Sequence, residues 1–88
     1  MMWTRDSILK ELLAVLGEHA QGGTAIHEDS HLVGDLGIDS LGVMESVAAI
    51  EDKFGLNIPD DALRNVETVA DVAKAIEIRL QSEGRLQG

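Results

Sequence analysis

Ser40 is the residue of this chain best placed to do chemistry, and it lies in the stretch LGIDSLGVMES, residues 36–46. A serine hydroxyl becomes a nucleophile only when a neighbouring base takes its proton. His27 and His31 are the histidines nearest in sequence, and no local spacing brings either to Ser40. GIDSLG also fails to match the GxSxG turn that exposes an esterase serine. What remains for Ser40 is the role of an acceptor. Asp39 has the side chain of a helix N-cap, which puts Ser40 in the first helical turn. Free backbone N–H groups and the positive helix end favour an attached phosphate there. The plainer alternative is that a serine beside an N-cap only helps to start the helix. No catalytic residue is assigned. With no cysteine in the chain, disulfides and thiolate metal sites are excluded, and no metal site is expected.

The elements that must position Ser40 can be read from punctuation and periodicity. Thr4 caps a first helix running to about Glu18, with Ile8, Leu12, Val15 and Leu16 as its apolar stripe and Leu9 and Leu13 widening it. Gly17 weakens its end, and Gln21-Gly22-Gly23 stops any continuation. A long polar connection follows, over about 19–38, in which Ile26, Leu32, Val33, Leu36 and Ile38 need burial and Ser30 is placed to cap a turn before Leu32. The second helix spans about 40–54 and is ended by Gly55 and Asn57, with Pro59 isolating a short helical turn at 60–64. Thr68 and Asp71 form a capping box for a last helix over about 69–82, with Val69, Val72, Ala73, Ile76 and Leu80 inward. From Gly84 onward the pattern reads as a frayed tail. No segment alternates with strand period. The expected fold is all-α, a four-helix bundle of three longer helices and one short one with a long first loop, forming a single domain over 1–88 with an ordered core at about 4–82.

Charge narrows the choice of partner. The 88 residues carry a formal charge of −9. Residues 28–67 hold ten acids against two bases, while residues 68–88 balance at three of each. Such a segment attracts basic protein surfaces and disfavours nucleic acid and anionic membrane, although it also suits a merely solvated acidic face. No apolar run approaches the roughly 18–20 residues that span a bilayer, and no signal-peptide pattern is present. A soluble cytoplasmic monomer is the expectation.

The second helix has two apolar faces. At helical spacing Val43, Val47, Ile50 and Phe54 fall within about 60° of one another as a core stripe. Leu41, Met44, Glu45, Ala48 and Asp52 cluster on roughly the other side. Either this second face touches the long loop, or it is a docking surface with a small apolar centre and a carboxylate rim.

The segment DLGIDSLGVMESVAAIEDKFGLNIPDD resembles the acyl carrier protein family. The likeness rests on the Asp39-Ser40-Leu41 triplet after a leucine–glycine pair, on its register with Glu45, Glu51, Asp52 and Phe54, and on Ile58-Pro59-Asp60. It continues through Val66, Thr68 and Val69 into the last helix, covering nearly the whole chain. The resemblance implies a non-catalytic carrier of the discrete type. Ser40 would receive 4'-phosphopantetheine from coenzyme A through a 4'-phosphopantetheinyl transferase, and the arm's thiol would hold acyl groups as thioesters. Partner enzymes of fatty acid or polyketide synthesis, such as a ketosynthase and an acyltransferase, would dock on Asp39, Leu41, Met44, Glu45, Glu51, Asp52 and Ile58. Val33, Leu36, Val47, Ile50, Phe54, Leu63 and Val66 would line the space that shelters the acyl chain, or simply pack the core. Gly42 and Lys53 stand where fatty-acid carriers of this family hold acids, which leaves room for a dedicated polyketide or other secondary pathway. A peptidyl carrier of a nonribosomal peptide pathway and a non-modified helical adaptor are the alternatives.

Overall fold

Local capping sets the helix boundaries. In the computed structural model, which describes residues 2–20 and 25–87, four helices follow in the expected order. They are α1 (Arg5–His19), α2 (Ser40–Phe54), α3 (Asp60–Leu63) and α4 (Val69–Ser82). Thr4 is extended and its Oγ1 accepts the Ser7 N–H at 3.1 Å, while Ser7 Oγ accepts the Thr4 N–H at 2.9 Å. This reciprocal box satisfies two N–H groups that the first turn leaves unpaired. Thr68 and Asp71 form the same device at α4. Gly17 does not shorten α1, which continues to His19. The stop expected at Gln21-Gly22-Gly23 lies outside the described residues.

Each long helix buries one stripe. Ile8, Leu12, Val15 and Leu16 of α1 meet Ile50 and Phe54 of α2 and Val69, Val72, Ile76 and Leu80 of α4 in one core. α1 packs against both α2 and α4, and α3 packs against α4. Among the described residues there is no strand, only two isolated bridges, Trp3 with Leu86 and His31 with Thr68.

The long connection before α2 is pinned rather than draped. Leu32 N–H donates to Glu67 O at 2.9 Å, Val69 N–H to Ser30 O at 3.0 Å, and Ala70 N–H to Glu28 O at 2.7 Å. These bonds fasten the connection to the entry of α4, and Leu32, Leu36 and Ile38 drop into the core beneath it. Ser30 does not cap a turn forward as expected. It is buried, and its Oγ accepts the His27 N–H behind it at 2.9 Å. The Asp35 carboxylate instead takes the His31 N–H, at 2.7 Å.

The C-terminal segment is not frayed. Gly84 adopts a left-handed conformation (φ 70°), the Gly84 N–H reaches Gln81 O, and the Arg85 N–H reaches Leu80 O at 2.8 Å. That is the Schellman ending of a helix, which needs the glycine at this position. Beyond it Trp3 N–H donates to Arg85 O at 2.8 Å and Gln87 N–H to Trp3 O at 2.7 Å, so the two ends of the chain clasp. The Arg85 guanidinium donates to the carbonyls of Phe54 and Gly55, closing the C-terminus of α2. The Trp3 and Phe54 rings lie 4.5 Å apart beside it.

Candidate functional site

Ser40 is the first residue of α2 and is exposed. The extended Asp39 before it aims a carboxylate along the helix, where Oδ1 accepts the Gly42 N–H at 2.7 Å. The Asp39 carbonyl accepts the Val43 N–H at 2.8 Å, which begins the helical ladder. The N–H groups of Ser40 and Leu41 have no carbonyl behind them to reach. Among the described residues no hydrogen bond ties down the Ser40 hydroxyl, and none links it to a histidine. Ser40 is thus an accessible, unactivated hydroxyl beside two free donors at the positive end of a 15-residue helix. That arrangement fits a phosphodiester on Ser40 and offers no base for Ser40 to act as a nucleophile by itself. No group of three or more potential metal ligands occurs among the described residues, and no helix there is long and apolar enough to cross a membrane.

Gly42 has a structural reason. A Cβ at this position would stand 2.8 Å from Ile38 Cγ2 and 3.2 Å from Asp39 Oδ1. Ile38 is buried directly before the cap, so the absent side chain lets the loop tuck under the first turn of α2. Lys53 also has a local partner: its Nζ lies 3.1 Å from the Glu11 carboxylate and ties α2 to α1.

The outer face of α2 carries Leu41, Met44, Glu45, Ala48 and Asp52, all exposed. Leu41 is 66% and Met44 71% exposed, so neither is covered by the long loop. Two residues expected on this face do other work. Ile58 is buried, and its N–H donates at 2.8 Å to Glu51 Oε2. Glu51 is therefore half-buried and committed to holding the α2–α3 connection, because a carboxylate satisfies a backbone donor that the turn leaves open.

Behind the outer face lies a narrow cavity of about 20 Å³, partly open to the surface and lined by Leu16, Leu32, Ile38, Val43, Ser46, Val47, Ile50, Leu63, Val66 and Val72. It has room for about one water molecule. Val47, Ile50, Leu63 and Val66 were expected there. Leu36 and Phe54 are buried but line no part of it: Leu36 fills the turn of the loop, and Phe54 packs on Trp3 at the other end of α2. Val33 corrects the reading more strongly, being 66% exposed on the loop rather than in the core. Ser46 was missed. It lies three residues after Val43 and four before Ile50, on the core stripe by spacing, but its polarity masks it. Its burial is tolerated because Oγ donates to Gly42 O at 2.8 Å.

Two open grooves flank the cavity. One, of about 390 Å³, runs between α2 and α3 past Met44, Ala48 and Leu63. The other, of about 290 Å³, is edged by His31, Val33, Val66 and Glu67. Val43 is common to both grooves and to the cavity, so it forms part of the partition between inside and outside.

Where the loop meets α4, Asp71 Oδ2 accepts the N–H groups of Glu67 and Thr68, both at 3.0 Å. Those two donors hold the Asp71 carboxyl below its ordinary range, and nearby His31 adds to the effect.

Against this geometry stand the likenesses to known proteins. A family model described as the phosphopantetheine attachment site matches residues 6–76. An acyl carrier protein of Thermobifida fusca is 38% identical over 78 residues, which is 88% of this chain and 99% of that protein. One from Sulfurovum is 52% identical over 52 residues, 59% of this chain and 69% of that protein. Among solved structures, MacpD, an acyl carrier protein of Pseudomonas fluorescens involved in mupirocin biosynthesis, aligns with TM-score 0.58 and 30% identity over 81% of this chain and 65% of that one. A Mycobacterium tuberculosis structure described as an acyl carrier protein aligns at TM-score 0.75 and 26% identity over 82% of this chain and 97% of that one.

Proposed function

The chain belongs to the acyl carrier protein family, and from that premise we propose that Ser40 is its attachment point for 4'-phosphopantetheine and that the outer face of α2 presents the loaded arm to enzymes of fatty acid or polyketide synthesis. Carriage of acyl groups by way of phosphopantetheine is the family's work, and it is non-catalytic. The observation that carries the assignment of Ser40 is its free, exposed hydroxyl in the first turn of α2, fixed by the Asp39 cap. Ser40 Oγ attacks the phosphorus of coenzyme A that bears the pantetheine. One P–O bond to it forms, the pyrophosphate P–O bond breaks, and adenosine 3',5'-bisphosphate leaves. Because no base among the described residues bonds Ser40, the 4'-phosphopantetheinyl transferase takes the hydroxyl proton. The arm supplies a thiol on which acyl groups are held as thioesters.

Leu41 and Met44 form the apolar centre of the proposed docking face, with Asp39, Glu45 and Asp52 around them. Basic partner surfaces are steered by those carboxylates, and tethering raises the effective concentration of the acyl group at each enzyme. Gly42 and Lys53 stand where fatty-acid carriers of the family hold acids, which leaves room for a dedicated polyketide or other secondary pathway. The test is intact mass after incubation with coenzyme A and a broad-specificity transferase. The native chain should gain one arm and Ser40→Ala none. No gain by the native chain with an active transferase, together with a salt-sensitive protein complex that survives Ser40→Ala, would replace this reading with that of a helical adaptor.

A further inference from the structure

Among the described residues Ser46 is the one polar side chain in the wall of the interior cavity, and it is 2% exposed. Every other wall residue is Leu, Ile or Val, so a serine there forgoes close packing that an aliphatic side chain would give. Its hydroxyl is turned back onto its own helix, donating to Gly42 O at 2.8 Å. Gly42 O lies four residues before Ser46 and also receives the ordinary helical bond from the Ser46 N–H. The hydroxyl can therefore rotate away without orphaning that carbonyl, and its lone pairs are free throughout. The cavity, at about 20 Å³, holds no more than about one chain carbon, so any acyl chain that enters must widen it by parting the wall, for which Val43 is the shared partition with both grooves. A chain entering along α2 passes Ser46.

Resting on the carrier reading above, we infer that Ser46 makes this protein selective for acyl chains that bear a hydroxyl or ketone oxygen over saturated chains of equal length, by hydrogen-bonding that oxygen inside the opened cavity. A chain hydroxyl donates to Ser46 Oγ; a chain ketone accepts from it after the rotation away from Gly42. A saturated chain gains neither.

The experiment loads Ser40 with amide-linked octanoyl, 3-hydroxyoctanoyl, 5-hydroxyoctanoyl and 3-oxooctanoyl pantetheine, verifies each by intact mass, and compares thermal midpoints. At least one oxygenated chain should raise the midpoint above the octanoyl form by about 4–8 °C, the shift that one net hydrogen bond gives a domain of this size. Ser46→Ala, which keeps the space but not the hydroxyl, should erase that difference, and Ser46→Thr should retain it. Equal midpoints for all four chains in the native protein, or a difference that persists in Ser46→Ala, would overturn the inference while leaving Ser40 as the attachment point. Failure to load any arm would remove the carrier reading and this inference with it.

Discussion

Gly42 and Ile38 approach so closely that a β-carbon on Gly42 would stand 2.8 Å from the Ile38 γ-methyl. Ile38 is buried and β-branched, so its rotamers are few, and the cavity it lines is only about 20 Å³. Replacing glycine by alanine inside a helix gains up to about 1 kcal/mol of propensity, whereas overpacking a core costs about 1–3 kcal/mol. Gly42→Ala should therefore lower stability by about 1 kcal/mol in urea unfolding. Gly42→Asp should cost more, since it adds a carboxylate beside Asp39. A higher midpoint for either variant would mean that Ile38 yields freely.

Glu45 and Glu51 are both acids of α2, yet they should behave differently. Glu51→Ala strands the Ile58 N–H and should cost about 1–2 kcal/mol of stability. Glu45→Ala, on an exposed face, should stay within about 0.5 kcal/mol of the native protein. In transfer assays the order reverses: Glu45→Lys and Asp52→Lys should slow arm transfer several-fold and flatten its salt dependence without moving the urea midpoint. Equal stability losses at Glu45 and Glu51 would contradict the Glu51–Ile58 bond.

Asp71 makes the junction of loop and α4 acid-sensitive. The N–H groups of Glu67 and Thr68 hold its carboxyl below the ordinary 3.8, and the unfolded chain has no such donors. Below that value the unfolded state binds the proton more readily than the folded one. The stability contributed by Asp71 is thus complete above the ordinary value and is lost as pH falls through the lowered one. Urea midpoints measured across this acid range should fall, and Asp71→Asn should reduce the slope while lowering stability at neutral pH. An unchanged slope would assign the acid response to other carboxylates.

Capping made most of this fold readable beforehand. Thr4, Asp39 and Thr68 act on N–H groups within three residues, so their signals are local, and the helices begin where those residues require. Spacing alone placed Leu41 and Met44 opposite the core stripe but left open whether the long loop covers them; both are exposed. The misreadings have other causes. Arg85 caps α2 from some thirty positions away, and Glu51 bonds a backbone seven residues on, so neither role has a local signature. Val33 is apolar in a loop that had to bury something, but the turn buries Leu32 and Leu36 and leaves Val33 outside. Ser46 was hidden by its chemistry, because a hydroxyl satisfied by its own helix sits in a core as an alanine would.

The clasp between the chain ends gives the protein a built-in optical probe. Trp3 is the sole tryptophan, and its indole rests on Phe54 at the end of α2 remote from Ser40. At 1.5 Å per residue the two ends of that helix are about 21 Å apart. Emission from Trp3 therefore reads the integrity of the Phe54 end of α2 and is little quenched or shifted by what is attached at the Ser40 end. Fluorescence can follow unfolding of apo and loaded forms on one common scale, with no dye and no added residue.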